Sequence, residues 1–340
     1  MIPLRKTPAV SPSSVIQLLS KNYFGVMSAF YEAQSSFLTK AYKRYGDLEN
    51  ANIHFCFARD MHLQIVRQRE RNLNFDLSLN NFWKNYNYIE HPDKKIRDIV
   101  NETGIPKETV RRKIKNISTV KRQKNGKSYA MDFYPEKKIE AYQKIFEDDI
   151  NDLSIFISEF SKQFGFLETF SRKTISDEFK LQFSFYRYHF LSIEIQWLKM
   201  WQNKLKDNDL LLIIIQTIIP TLQNANKKVK RLDVENLFKI IGKVDQNCPS
   251  SSGIAASSIA DVIGMPRATC IRKLEKLVTL GFLTREKKTK RYIISQNIDD
   301  RTHNILTKEN VGHTIEIFSE FISIILNSLA YNRRISTTKN

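Results

Sequence analysis

Two short segments of this chain carry threonine and arginine side chains at matching positions. Residues 104–114 align without gaps on residues 264–274, an offset of 160 residues, and both follow the pattern Gly-x-Pro-x-x-Thr-x-x-Arg. An arginine can donate two hydrogen bonds to a guanine edge, and a threonine can reach a phosphate group or a thymine methyl group. The repeated pattern therefore indicates contact with a nucleic acid, with Arg112 and Arg272 as the leading base readers.

A helix-turn-helix is predicted to position these side chains. In the first copy, Asp93 is expected to cap a short helix over residues 94–102. Gly104 suits the turn because glycine reaches positive φ without a Cβ clash, and Pro106 suits the first turn of the next helix. The same letters in the second copy predict the same arrangement there.

The second helix of each copy has one apolar face and one accessible face. Apolar side chains at i, i+4 and i+7 predict the buried face. They are Val110, Ile114 and Ile117 in the first copy, and Cys270, Leu274 and Leu277 in the second. The accessible face is expected to carry Glu108, Arg112, Lys115 and Asn116 in the first copy, and Ala268, Arg272, Glu275 and Lys276 in the second.

A basic β-hairpin is predicted after each helix-turn-helix. Residues 119–129 contain Asn125 followed by Gly126, a favoured pair for a type I′ turn. Residues 282–294 have apolar ends and a basic tip. Basic tips suit contact with phosphates or the minor groove, although charged hairpin tips also occur simply because they face water.

With the hairpins included, the two segments resemble winged helix-turn-helix transcriptional regulators, particularly those of the MarR and IclR types. Residues 259–294 carry the strongest match, including the step Leu-Gly-Phe-Leu over 280–283 that leads into the hairpin. The first copy keeps the Gly-x-Pro-x-x-Thr helix but lacks the Gly-Phe-Leu step. The resemblance implies a mainly α fold with small β-hairpin wings, arranged as a tandem duplicated winged helix-turn-helix that binds double-stranded DNA.

We expect the DNA-contacting residues to lie on the two recognition helices and the two wings. They are Lys107, Glu108, Thr109, Arg111, Arg112, Lys115, Lys121, Arg122, Lys124 and Lys127 in the first copy, and Arg267, Thr269, Arg272, Lys276, Arg285, Lys287, Lys288, Lys290 and Arg291 in the second. The two faces differ, since Ile271 stands where the first copy has Arg111. An asymmetric target site is therefore expected.

The repeat predicts two similar halves. The first covers residues 1–170, with its DNA-binding unit at about 78–135, and the second covers residues 171–340, with its unit at about 233–297. Aromatic side chains within residues 183–205 are expected to pack the core or the contact between halves, with a small-ligand pocket as the alternative. One chain would then act as a pseudo-dimer, although residues 315–329 are also apolar enough to join two chains as a homodimer.

Composition favours a polyanionic partner. The chain has 340 residues and a formal net charge of +18, and cations laid against phosphates release condensed counterions. Its longest apolar stretch, residues 210–220, is too short to span a membrane, and residues 1–20 lack a secretory pattern. We therefore expect no membrane partner and a cytoplasmic, nucleoid-associated location.

The residues that could support catalysis or metal binding are scattered. The three cysteines are far apart, the six histidines form no close pair, and no nucleotide-binding glycine pattern is present. We expect no enzymatic activity, no metal and no cofactor, and no effector ligand can be assigned.

Three functions remain open at this point. A transcriptional regulator is favoured by the resemblance. A plasmid-type replication initiator is the main alternative, because such proteins also resemble two winged-helix units in one chain. A protein-interaction scaffold is disfavoured by the charge of +18.

Overall fold

The computed structural model of the protein describes residues 10–124, 126–132, 139–162, 170–228, 253–295 and 308–337. These residues are mainly helical, and two small antiparallel sheets accompany the helices. The expectation of a mainly α chain with small hairpins is confirmed at this level.

The first half places the motif segment between four leading helices and one long closing helix. Its elements are α1 (Pro12–Lys21), α2 (Tyr23–Tyr45), α3 (Leu48–Arg71), a 3-10 turn (Leu79–Asn81), α4 (Phe82–Tyr88), β1 (Lys94–Lys95), α5 (Ile96–Thr103), α6 (Lys107–Ile114), β2 (Val120–Arg122), β3 (Ser128–Met131) and α7 (Ile139–Ser161). The strands form one antiparallel sheet in the order β1-β3-β2, in which Val120 faces Met131 and Lys94 faces Tyr129.

The second half has the same order of main elements. They are α8 (Arg172–Leu181), α9 (Phe183–Leu205), α10 (Asn208–Lys228), α11 (Ala256–Ile263), α12 (Arg267–Thr279), β4 (Leu283–Arg285), β5 (Tyr292–Ile294) and α13 (Lys308–Thr337). Strands β4 and β5 pair antiparallel, and Ile254 forms a single bridge to Tyr292. The apolar stretch over residues 210–220 lies within α10 and is buried from Leu210 to Ile218.

The helices of the two halves begin at matching positions. Helices α1, α2, α3, α5 and α6 begin at residues 12, 23, 48, 96 and 107, and helices α8, α9, α10, α11 and α12 begin 160 residues later in each case. The repetition therefore reaches well beyond the motif segments, into helices whose sequences show little likeness.

The two halves interlock by reciprocal contacts. Helix α2 packs on α10 while α3 packs on α9, and α1 packs on α13 while α7 packs on α8. In each of these pairs of contacts the roles of the halves are exchanged, as they are across the axis of a symmetric dimer. Each half therefore completes the core of the other.

Helices α2 and α9, which occupy equivalent places, meet at this axis. Gln34 on α2 and Glu194 on α9 are separated by 160 residues and share a buried hydrogen bond of 2.5 Å. Ring contacts lie one turn away on either side and are again reciprocal. The pairs are Phe30 with Trp197, with centroids 6.0 Å apart, and Phe37 with Phe190, with centroids 4.9 Å apart.

The aromatic side chains of α9 serve the core. Phe183, Tyr186, Phe190, Trp197 and Trp201 are buried, and Phe185 packs half-buried against the same cluster. A cavity of about 50 Å³ lies beside them, between α2, α3, α7 and α9. That volume holds a few water molecules and is far below the several hundred cubic ångströms of ordinary ligand pockets.

The closing helix α13 is long and apolar. Its segment Glu309–Tyr331 is, by length and composition, able to span a membrane, yet 56% of its most apolar window is buried inside the protein. It packs on α1 and α9, and Asn327 exchanges two hydrogen bonds with the backbone of Val10. Buried core helices of soluble proteins can be equally long and apolar, so length and composition alone do not indicate a membrane span.

The expected cap of α5 is wrong. Lys94 and Lys95 pair with β3 as a short strand, so the helix begins only at Ile96. The backbone N–H of Lys95 donates a hydrogen bond to the Asp98 carboxylate at 3.2 Å. The capping carboxylate at the start of α5 is therefore that of Asp98 and not that of Asp93.

Candidate nucleic-acid interface

The first motif segment folds as two short helices around a glycine turn. Gly104 ends α5 with a left-handed φ of 70°, and α6 begins three residues later. A Cβ at Gly104 would lie 2.9 Å from the Asn203 Oδ1 atom. Glycine is therefore favoured here both by the left-handed backbone conformation and by the lack of space for a side chain. Val110 and Ile114 form the buried face of α6 as predicted, and Ile117 is also buried but lies beyond the end of the helix.

The second motif segment repeats this geometry. Gly264 ends α11 with a φ of 76°, and a Cβ there would lie 2.9 Å from Cε of Lys43, the residue that aligns with Asn203. Cys270, Leu274 and Leu277 form the predicted buried face of α12. Each turn thus touches the helix of the opposite half.

The side chains predicted to face a partner lie largely at the surface. On the two second helices, Thr109 and Thr269 are half-buried. The exposed side chains are Lys107, Glu108, Arg111, Arg112, Arg267, Arg272 and Lys276, together with Lys115 directly after α6. The Glu275 side chain is 43% exposed, and it accepts hydrogen bonds from Arg285 Nη1 at 2.9 Å and from the Tyr292 hydroxyl at 2.6 Å.

Both predicted hairpins are present. The first forms without the Gly-Phe-Leu step, and β1 pairs with β3 as a third strand. The basic side chains of the tips and strands are exposed. They are Lys121, Arg122, Lys124, Lys127, Arg285, Lys287, Lys288, Lys290 and Arg291. Asn125 lies outside the described residues, so the predicted turn type stays a prediction.

Several of these cations already have partners within or beside their own hairpin. Arg122 donates to the carbonyl oxygen of Gly126, and Lys121 pairs with Asp132 at 2.5 Å. Arg291 donates to the carbonyl oxygen of Gly253 at 3.2 Å. Because exposed contacts of this kind are weak, these side chains can exchange them for a phosphate at small cost.

A lysine next to each candidate base reader is clamped by two acids. Lys113 Nζ lies 2.6 Å from Asp47 Oδ2 and 3.3 Å from Glu49 Oε2. The clamp joins α6 to the turn between α2 and α3, and only 14% of the Lys113 side chain is exposed. The adjacent Arg112 is thereby held on an anchored helix.

The second half has an equivalent clamp. Lys273 Nζ lies 2.7 Å from Asp207 Oδ2 and 3.3 Å from Asp209 Oδ2. Burial alone lowers the pKa of Lys273, but Asp209 and Asp207 outweigh it, and the pKa is raised. The lysine is therefore charged at neutral pH, next to the exposed Arg272.

The two clamps are connected across the axis. The backbone N–H of Leu48, between the acids of the first clamp, donates to Asp209 Oδ1 of the second clamp at 2.9 Å. A cleft of about 600 Å³ opens over this connection, with Thr109 and Arg112 on one wall and Lys276 on the other. Helices α6 and α12 therefore border one shared cleft.

The motif segments alone contain no sign of these clamps. The acids lie 66 and 64 residues before their lysines, in the turns that lead into α3 and α10 and in the first turns of these helices. A signal was present, because Asp47 matches Asp207 and Glu49 matches Asp209 at the same offset of 160. Two acids separated by one residue are common in protein sequences, so this pattern does not by itself predict an ion pair with a distant lysine.

Within the described ranges, no group of three or more histidine, cysteine or acidic side chains is arranged to hold a metal ion. Cys56 and Cys270 are buried free thiols, and burial raises the pKa of Cys270 to about 11. Cys248 lies outside the described residues.

Comparisons with known proteins add no further assignment. No family model matches the chain, and no curated protein or solved structure shows significant similarity to it.

Proposed function

We propose that the chain is a sequence-specific double-stranded DNA-binding protein that acts as a transcriptional regulator, built as a tandem duplicated winged helix-turn-helix. In this proposal α6 and α12 are the recognition helices, and the β2-β3 and β4-β5 hairpins are the wings. The chain supplies both units of a pseudo-dimer, so one molecule contacts DNA with two helices.

One observation carries the proposal. An exposed arginine stands beside a clamped lysine on both candidate recognition helices, as Arg112 with Lys113 and Arg272 with Lys273. Recognition needs side chains that reach a base edge from a backbone held in register, because a misplaced donor loses its hydrogen bonds. The clamp supplies the register and the arginine supplies the donors.

The electrostatic distribution supports the same partner. Exposed cations line the outer faces of both helices and both hairpins. Four of the acids near them are engaged with Lys113 and Lys273, and Glu108 and Glu275 are each paired with an arginine of the same surface. Such a layer attracts phosphates and makes affinity depend steeply on salt.

Binding to genomic DNA fragments across a salt series tests the proposal. We expect selective binding that weakens with salt, and we expect Arg112→Ala and Arg272→Ala each to cost about 1–3 kcal/mol and to relax selectivity in one part of the site. Arg172→Ala, which removes an exposed arginine of α8 outside both units, is the matched control and should leave binding unchanged. Absent binding, or binding indifferent to both arginines, would overturn the proposal in favour of a protein-interaction role.

The position of the bound fragments separates the two DNA-binding roles. A regulator binds upstream of promoters, whereas a replication initiator binds repeated sites beside an origin. Mapping the retained fragments therefore decides between them with the same material.

A further inference from the structure

The two candidate recognition helices differ at one coupled pair of positions. On α6, Arg111 Nη1 pairs with Glu108 Oε1 at 2.8 Å, and both side chains are exposed. At the matching positions, α12 carries Ala268 and Ile271. An ion pair on one helix is thus replaced by two apolar side chains on the other.

Ile271 is an exposed large apolar side chain in a basic surface. Its exposed fraction is 37%, and the next residue is the exposed Arg272. One turn later Glu275 is held against the wing by Arg285 and Tyr292, so its carboxylate is already paired. The accessible face of the first two turns of α12 therefore presents an apolar spot beside a guanidinium group.

We propose that Ile271 contacts a thymine 5-methyl group, so that α12 reads a half-site containing thymine while α6 reads a half-site through polar contacts. This inference rests on the proposed DNA binding and specifies its substrate. The thymine methyl is the apolar group that distinguishes base pairs in the major groove, whereas guanine, adenine and cytosine present hydrogen-bonding atoms there. Arg272 alongside supplies a donor for a guanine or a phosphate.

Deoxyuridine provides a direct probe, because it pairs as thymidine does but lacks the 5-methyl group. A tightly bound duplex is first selected from a random double-stranded pool with the full-length chain. The half-site under each helix is then assigned by the base pairs whose selectivity is lost in Arg112→Ala or Arg272→Ala. Finally, each thymine is replaced in turn by deoxyuridine, and the dissociation constant is measured.

We expect deoxyuridine in the α12 half-site to weaken binding about fourfold for each contacted methyl, from the transfer free energy of one buried carbon group. Ile271→Ala should remove most of this sensitivity while retaining the fold, since the side chain is exposed. Ile271→Arg, which installs the residue type of position 111, should remove it entirely.

The duplication supplies a matched reciprocal variant. Arg111→Ile should create sensitivity to deoxyuridine in the α6 half-site, once a pool is reselected with that variant. Selective binding by the wild type with equal affinity for thymine and uracil duplexes would overturn the inference and leave the proposed function intact. Failure to bind any duplex would overturn both.

Discussion

Glu194 is a carboxyl group buried at the axis between the halves. Burial raises its pKa to about 8, although the hydrogen bond from Gln34 and the charge of Arg187 lower it in part and Asp149 raises it further. Among the described residues, Glu194 Oε2 and Gln34 Oε1 have no hydrogen-bond partner. A protonated Glu194 can donate from Oε2 to Gln34 Oε1, which closes a ring of two hydrogen bonds.

This pair predicts a pH-dependent stability. The folded-state pKa lies above the unfolded value, so its contribution is fully present below about pH 4.5 and is lost as pH rises through about 8. Each tenfold change in proton affinity corresponds to about 1.4 kcal/mol, so the loss amounts to several kcal/mol. Urea denaturation from pH 5 to pH 9 should show this decline.

The variant Glu194→Gln isolates the effect, because an amide can form both hydrogen bonds without a proton. We expect its free energy of unfolding to lack this decline and to exceed that of the wild type at pH 9. Equal pH profiles for the two proteins would contradict a neutral Glu194.

At the scale of elements, the clamps connect each candidate recognition helix to the long helices. Lys113→Met leaves Asp47 and Glu49 facing each other without a cation. We expect the free energy of unfolding to fall by about 2 kcal/mol, between the small value of exposed pairs and the larger cost of breaking buried ones. Urea denaturation measures this change, and Lys273→Met should behave alike.

Lys115→Met is the control for the clamp. Lys115 is an exposed lysine on the same turn of chain, so its loss should change stability by less than about 0.5 kcal/mol. Equal effects of Lys113→Met and Lys115→Met would show that the clamp contributes no stability.

The glycine turn between α5 and α6 is also expected to contribute to stability. Gly104→Ala forces a Cβ into a left-handed conformation and towards Asn203, so we expect a loss of about 1–2 kcal/mol. Gly312→Ala, in open space inside α13, should instead stabilise the protein by about 0.5–1 kcal/mol. Thermal denaturation of both variants should move the midpoint in opposite directions.

The helices and hairpins were largely predictable because their signals are local. The spacing of Val110 and Ile114, the turn at Gly104 and the apolar hairpin ends each reflect neighbouring residues. The clamp of Lys113 by Asp47 was not predictable in this way, because it joins residues brought together only by tertiary packing. Strand β1 was missed for the same reason, since two lysines form a strand only against β3.

The whole molecule behaves as one cooperative unit in our interpretation, because α2 packs on α10 and α3 packs on α9. Leu274→Ala empties part of the core beneath α12 and should cost about 2–5 kcal/mol. We expect it to lower the midpoint of one transition for the entire chain. Calorimetry of wild type and variant checks this, and two separate transitions would show that the halves unfold independently.

The contact between Gln34 and Glu194 also bears on which halves can associate. If the second halves of two chains paired with each other, Glu194 would meet Glu194, and the contact would hold only while both buried acids carried a proton. Pairing within one chain gives each acid an amide instead. The Gln34–Glu194 contact therefore favours pairing of a first half with a second half over pairing of two second halves, most strongly at a pH above the pKa of Glu194.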